Sequence, residues 1–201
     1  MEIEFTDEGI IFNKEINRLD EFVLDFVRIL EKQGIRYCLI SGYVAILFGR
    51  SRSTEDVDIF IEPIEEDRFC KLWKALKEQF DCIITSDPKD ALSNYLKEGL
   101  AIRFAYPGKV IPNMEMKFPS NKIDTWTLEK RKQLFINEDH LWISPMEIQI
   151  PFKLWLGSDK DIEDAVHLHS IFRDHLEKEP LDQLLEELNQ ADKYRRMFHA
   201  K

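Results

Sequence analysis

Two aspartates stand two residues apart in the segment 52–61, just before a run of apolar residues. The segment reads Arg-Ser-Thr-Glu-Asp-Val-Asp-Ile-Phe-Ile, and its apolar end is typical of a β-strand. Because a strand sends residues i and i+2 to the same face, we expect Asp56 and Asp58 side by side. Two carboxylates held that close repel each other unless a cation lies between them. The spacing therefore predicts a site for a divalent cation, with Mg²⁺ as the expected metal.

A turn of small residues, Ser41-Gly42, lies upstream of the aspartates. It ends the apolar run 36–40, a predicted strand, and precedes 43–48, a predicted short helix. A small residue in this place lets backbone N–H groups approach phosphate oxygens, and the helix adds its positive N-terminal end. Arg52 and Thr54 are expected to add phosphate contacts at the rim of the loop. Together with the aspartates, the turn predicts a metal-dependent site that handles phosphates.

This order of strand, small-residue turn, short helix, loop and Asp-x-Asp strand resembles the nucleotidyltransferase superfamily, which has the polymerase-β-like fold. The matching residues are Ser41-Gly42 and Asp56-Val57-Asp58-Ile59. The resemblance implies an α+β fold, with a mixed β-sheet flanked by helices and a C-terminal helical subdomain. It also implies a catalytic site in which Asp56 and Asp58 bind Mg²⁺, so that a nucleoside monophosphate passes from a nucleoside triphosphate to an acceptor hydroxyl.

Members of that superfamily usually carry a third carboxylate on a later strand, and Glu115 is the candidate. It lies in the predicted strand 113–118, where Met114, Met116 and Phe118 alternate with Glu115 and Lys117. Glu115 stands where Asp is commoner. If it completes the site, the protein is a nucleotidyltransferase. If it does not, the protein is a degenerate module that binds a nucleotide or a partner protein, as in a toxin–antitoxin pair, or a structural protein without a ligand.

The C-terminal part carries a second group of charged residues. Lys153 is followed by Lys160-Asp161-x-x-Asp164. This pattern resembles the helical end of stand-alone archaeal and bacterial nucleotidyltransferase-like proteins related to AbiEii-type toxins, although Lys160 stands where Arg is usual. The resemblance implies that Lys153 contacts a nucleotide phosphate, while Asp161 and Asp164 orient it or bind the acceptor. The alternative is a salt bridge between two helices.

The elements that must position these residues follow from hydrophobic periodicity and turn signals. Helices are predicted at 15–33, 43–48, after Pro63, at 88–97 and at 122–134, and strands at 36–40, 56–62, 80–85, 100–106 and 113–118, with two short strands within 135–143. From 145 onward only helices are predicted, at 145–156, 160–176 and 180–197. The change near Ser144 predicts two parts, an α/β core of residues 1–144 and a helical subdomain of residues 145–201.

Charge and composition limit the partners of the 201-residue chain. The formal charge of −10 argues against broad binding to nucleic acid, although the segment 109–132 has six basic residues against three acidic ones. The expected partners are a nucleoside triphosphate, an acceptor that is a tRNA end, a protein or a small molecule, and a partner protein or second copy of the chain. Three unpaired cysteines and the lack of a long apolar run predict a soluble cytoplasmic protein that binds no membrane.

Overall fold

The architecture is a single mixed β-sheet with helices on both faces, and a computed structural model describes residues 3–6 and 9–198 of the chain. In this part nine strands lie in the order β1, β2, β8, β9, β3, β4, β7, β6, β5. The pairs β2–β8, β3–β9 and β4–β7 are parallel, and the others are antiparallel. The strands are β1 (Ile3–Thr6), β2 (Gly9–Phe12), β3 (Tyr37–Leu39), β4 (Asp56–Ile61), β5 (Asp81–Cys82), β6 (Ile102–Ala105), β7 (Asn113–Lys117), β8 (Lys132–Ile136) and β9 (Asp139–Ile143). The predicted α+β fold class is confirmed.

The helices lie between single strands or pairs of strands up to β9 and then follow one another to the end of the described chain. They are α1 (Arg18–Lys32), α2 (Gly42–Leu47), α3 (Glu66–Leu76), α4 (Pro88–Asp90), α5 (Lys122–Glu129), α6 (Met146–Leu156), α7 (Asp159–Phe172), α8 (Lys178–Glu187) and α9 (Ala191–Phe198). The short α4 continues as a π-helical turn over Ala91–Tyr95 and a 3₁₀ turn over Leu96–Glu98. No helix in residues 3–6 and 9–198 is long and apolar enough to cross a membrane.

The strand that carries the aspartates lies in the middle of the sheet. Its residues Val57, Ile59 and Ile61 are fully buried in the main hydrophobic core on one face. Asp56 and Asp58 therefore lie on the other face, since successive side chains of a strand alternate. Phe60 shares that face and packs with Leu128 of α5 in a separate small cluster. The aspartates thus lie beside α5, at the edge of the smaller cluster.

Asp20 ties α1 to the beginning of α2. Its carboxylate accepts a hydrogen bond from the backbone N–H of Asn17, while the Asn17 side chain caps the N–H groups of Leu19 and Asp20. This reciprocal capping fixes the start of α1. The same carboxylate accepts a hydrogen bond of 3.0 Å from the Tyr43 hydroxyl and pairs with Lys14. Since Tyr43 directly follows Gly42, the capped helix also anchors the small-residue turn.

Four parts of the structure differ from the sequence prediction. The helix predicted at 122–134 ends at Glu129, and the chain enters β8, in which side chains from 133 onward alternate between half-buried and buried. The strand predicted at 80–85 is paired only over Asp81–Cys82. The helix predicted at 180–197 is divided, since Asn189 adopts a left-handed conformation with φ 56°. The hairpin of β1 and β2 was not predicted.

The helices after β9 share the core of the sheet. Side chains of α6 and α7, including Ile150, Leu154, Leu168 and Phe172, belong to the same hydrophobic cluster as the core side chains of β3 and β4. The Ser144 backbone N–H also donates to the carbonyl of Leu39, the last residue of β3. The start of α6 is thereby fixed beside the end of β3. The division into residues 1–144 and 145–201 stays a prediction.

Candidate active site

Three acidic side chains lie on one face of neighbouring parallel strands. In the register of β4 with β7, Asp56 is opposite Asn113 and Asp58 is opposite Glu115. Residues opposite each other in a sheet point to the same side, so Glu115 shares the face of Asp56 and Asp58. All three carboxylates are partly buried. The strand pairing therefore puts the three acids that the sequence predicts for the site on one face of the sheet.

The Glu115 carboxylate is bound by an arginine from the next strand. Arg103, its partner in the register of β6 with β7, donates from Nε and Nη2 to the same oxygen, Oε2, at 2.9 and 2.6 Å. Across residues 3–6 and 9–198, no three His, Cys, Asp or Glu side chains lie close enough to hold one metal ion. In this arrangement Glu115 is a partner of Arg103 and not a third ligand next to the aspartates.

The Asp58 carboxyl lies where a negative charge is unfavourable. Burial raises its pKa, and the charges of Glu115 and Asp56 raise it further, while Lys117 and a hydrogen bond with Ser41 act in the opposite direction. The net result is a raised pKa. Within the described residues neither Asp56 nor Asp58 forms an ion pair. A cation bound between them would remove this unfavourable charge.

The hydroxyl group of Thr54, in the loop before β4, contacts Asp56. Thr54 Oγ1 is 2.8 Å from the backbone carbonyl oxygen of Asp56 and 3.3 Å from its Oδ1. The Thr54 hydroxyl can therefore fix the start of β4 and the carboxylate at the same time. The phosphate contact predicted for Thr54 stays a prediction.

The turn at Ser41-Gly42 is held by a side chain from α6. The Ser41 N–H donates to Oε1 of Gln149 at 3.3 Å, and Nε2 of Gln149 donates back to the Ser41 carbonyl at 2.7 Å. Gln149 is only 3% exposed. The first N–H of the predicted phosphate turn is thus already bonded within the protein.

Gly42 leaves room for the close approach of an arginine. A Cβ at this position would overlap the guanidinium of Arg52. Arg52 is held there, since its Nε and Nη2 donate to the two carboxylate oxygens of Asp164 at 3.2 and 3.0 Å. The small-residue turn therefore accommodates a side chain of the protein itself.

The charged residues predicted in the C-terminal part form a buried ion-pair network. The Lys153 ammonium, on a residue 2% exposed, lies 2.7 Å from Asp161 and 3.0 Å from the fully buried Asp164. Burial acts to raise the pKa of Asp161, but hydrogen bonds from Lys153 and Ser158 outweigh it and lower that pKa. Arg52 and Arg50 also pair with Asp164, so three cations share the carboxylates of Asp161 and Asp164. The phosphate and acceptor contacts predicted for these residues stay predictions.

A cavity of about 100 Å³ opens beside the aspartate face. Asp58, Ser41, Lys117 and Gln149 contribute polar groups, and the remaining wall is largely apolar. The Lys117 ammonium lies 5.4 Å from the centroid of the Phe60 ring. A larger cavity of about 420 Å³ lies away from the aspartates, between the β1–β2 hairpin and the end of α7.

Three residues of this site were not predicted from the sequence. Gln149 lies in a mostly apolar helix, Arg103 is the one charged residue of β6, and Lys117 is the last residue of β7. The alternation around Glu115 was the one available signal for Lys117, because it places both on the same strand face. Nothing in the sequence pairs Arg103 with Glu115 or Gln149 with Ser41, since these contacts depend on the strand order and on helix packing.

Comparison with solved structures places this architecture among nucleotidyltransferase folds. The antigenic nucleotidyltransferase-like protein from Paracoccidioides brasiliensis is similar over 89% of this chain and 91% of its own, with a TM-score of 0.53 and 19% sequence identity. The antibiotic-resistance factor ANT(2'')-Ia is similar over 89% of this chain and 94% of its own, with a TM-score of 0.49 and 8% identity. No protein-family model matches the sequence, and no curated protein matches it. The likeness shows the fold.

The ion-pair network predicts a large difference between two neighbouring substitutions on α7. Asp164→Ala leaves Lys153 and Arg52 without their shared carboxylate, so the free energy of unfolding should fall by about 3–5 kcal/mol. Glu163→Ala, at a side chain 64% exposed that pairs with Arg50, should change it by less than about 1 kcal/mol. Urea denaturation monitored by tryptophan fluorescence measures both, and equal effects would contradict a structural role of the network.

The raised pKa of Asp58 predicts a pH-dependent stability difference. Between the ordinary Asp value of 3.8 and the raised pKa, the folded protein binds more protons at this group than the unfolded chain, so stability falls as the pH rises through this window. Asp58→Asn removes the ionisable group and with it this loss of stability. Without metal, the variant should be more stable than the wild type at pH 7, and its advantage should disappear as the pH falls to the ordinary Asp range.

Denaturation midpoints measured at several pH values in a chelating buffer test this expectation. Asp174→Asn serves as the control, because that side chain is 81% exposed and should show no such trend. A variant that is less stable than the wild type at pH 7 would show that the Asp58 charge is well compensated.

Proposed function

We propose that the protein is a Mg²⁺-dependent nucleotidyltransferase. It would transfer a nucleoside monophosphate from a nucleoside triphosphate to an acceptor hydroxyl and release pyrophosphate. The observation that carries the proposal is the pair of carboxylates on β4, which form no ion pair within the described part of the chain and lie in register with Glu115. The fold shared with a nucleotidyltransferase-like protein supports the same activity.

The donor set fits Mg²⁺. Asp56 and Asp58 offer hard carboxylate oxygens, which this ion prefers, and the raised pKa of Asp58 shows a negative charge that lacks compensation. The chemistry that such an ion would supply is neutralisation of the charge that develops on the leaving pyrophosphate. Asp56 and Asp58 would hold it on the open face of β4.

The protein's other groups would orient the substrate and move the proton. Ser41 of the turn lines the cavity beside Asp58, and the positive charge of Lys117 favours the charged form of that carboxylate. As the acceptor oxygen attacks the α-phosphorus, the bond from that phosphorus to the bridging oxygen of pyrophosphate breaks. The acceptor hydroxyl would lose its proton, and we assign Glu115 as the carboxylate that would accept it. To do so it would use the oxygen that Arg103 leaves free.

The identity of the acceptor and the physiological setting are finer proposals. A small molecule or a protein hydroxyl fits the net charge of −10 better than a large RNA footprint does. A tRNA end would have to bind locally, with the basic segment 109–132 as its contact. Membership of a toxin–antitoxin pair and a cytoplasmic location rest on the resemblance and on the composition of the sequence.

The contact between Arg103 and Glu115 favours a second candidate, a module that binds a nucleotide without turning it over. If Glu115 stays bound to Arg103 when the nucleotide is present, the site has two acidic groups and lacks a third. Such a module would still be stabilised by a nucleoside triphosphate with Mg²⁺, because any ligand of the native state stabilises it.

Loss of either aspartate should abolish transfer. Purified protein is incubated with each nucleoside triphosphate labelled in its α-phosphate, with Mg²⁺ and with cell lysate as the source of acceptors. Asp56→Asn and Asp58→Asn should reduce label transfer by at least about a hundredfold, since each removes a ligand of an ion that supplies several kcal/mol of charge stabilisation. Asp174→Asn should leave transfer unchanged. Transfer that survives Asp58→Asn would exclude the proposed mechanism.

Glu115→Gln separates the two candidates. In the enzyme, this variant should bind nucleotide normally, as measured by thermal stabilisation, while transfer falls by at least about tenfold. In the binding module, the wild type and Glu115→Gln should be stabilised equally by nucleotide, and neither should transfer the label.

A further inference from the structure

Ser41 adopts a backbone conformation that only glycine adopts freely. Its φ of 62° and ψ of −132° lie in the region of positive φ where the Cβ of an L-residue meets its own backbone. A non-glycine residue stays in such a conformation only when its surroundings hold it there, and strained residues of this kind concentrate at active sites. Ser41 lines the cavity beside Asp58.

The group that holds Ser41 is the buried amide of Gln149. One side-chain amide bonds to both backbone groups of Ser41, accepting from its N–H and donating to its carbonyl. A relaxed Ser41 with negative φ would turn these groups away and leave the buried Gln149 amide without partners, which is costly in an interior. The strained turn and the buried amide therefore stabilise each other.

A second link runs from α6 to the next residue of the turn. Lys153, one helical turn after Gln149, pairs with Asp164, and Asp164 holds the Arg52 guanidinium against Gly42. Helix α6 thus fixes both residues of the turn. It contacts Ser41 directly through Gln149, and it acts on Gly42 through the Lys153–Asp164 and Asp164–Arg52 ion pairs. The turn is separated from Gln149 by 108 residues of sequence.

We propose that Gln149 is a positioning residue of the active site, which keeps Ser41 in its strained conformation and so gives the Ser41-Gly42 turn the shape that binds the nucleotide phosphates. This inference rests on the proposed function. It assigns to Gln149 no contact with the substrate, since its amide is engaged by the Ser41 backbone.

The test is a double-mutant cycle between Gln149→Met and Ser41→Gly. Methionine has nearly the volume of glutamine but cannot make either hydrogen bond, and glycine adopts the turn conformation without strain. Gln183→Met, on the exposed face of α8, is the matched control for the substitution itself. Two quantities are measured for each protein: the urea denaturation midpoint, and the dissociation constant of an α,β-methylene nucleoside triphosphate with Mg²⁺ by calorimetry.

With Ser41 present, Gln149→Met should lower the denaturation midpoint and weaken nucleotide binding by at least about tenfold at a temperature where the protein is folded. In the Ser41→Gly background, the same substitution should change nucleotide binding by less than about threefold and lower the midpoint by less than half as much. Gln183→Met should change neither quantity.

Equal effects of Gln149→Met in the two backgrounds would overturn the inference, because Gln149 would then be an ordinary packing residue. Unchanged nucleotide affinity in Gln149→Met would also overturn it. If the wild type neither binds nor transfers nucleotide, the proposed function fails and the positioning role fails with it. If the wild type binds and transfers normally but the cycle shows no coupling, only the positioning role fails.

Discussion

Repulsion between carboxylates on one sheet face is the constraint on which much of the structure around β4 depends. The register of β4 with β7 puts Asp58 opposite Glu115, and Asp56 is two residues away on the same strand. Each acid has a different local environment. Glu115 is bound by Arg103, Asp56 lies beside the Thr54 hydroxyl, and Asp58 has only partial compensation. The face therefore keeps a carboxylate whose negative charge the surrounding protein disfavours.

The C-terminal helices also contact residues of the same site. They contribute apolar side chains to the common core, but their polar residues reach the turn that precedes β4. Gln149 binds the backbone of Ser41, and the buried Lys153 and Asp164 hold Arg52 in place. Charges that the sequence suggested as substrate contacts are used in this structure to connect helices with the turn. A buried network of this kind is sensitive to the loss of any single member.

Local patterns in the sequence were sufficient to predict most of the fold. The aspartate strand, the Ser-Gly turn and most helices follow from periodicity and residue type, which act over a few neighbouring residues. The β1–β2 hairpin was missed because its strands are short, and residues 132–134 of β8 were assigned to the end of the preceding helix. The three acids could be grouped from the family pattern and strand alternation. The contacts of Arg103 and Gln149 could not be predicted from the sequence, because strand order and helix packing determine their partners.

The chain order of these contacts has a consequence for biosynthesis. All nine described strands are complete once Ile143 has been made, yet the residues that fix the turn, Gln149, Lys153 and Asp164, are translated afterwards. A nascent chain can therefore pair its sheet and carry both aspartates while Ser41 is still free to relax. The ribosome must release the helical end before the turn is held in its final shape. A protein truncated just after β9 would keep the signature residues without the support that orders them.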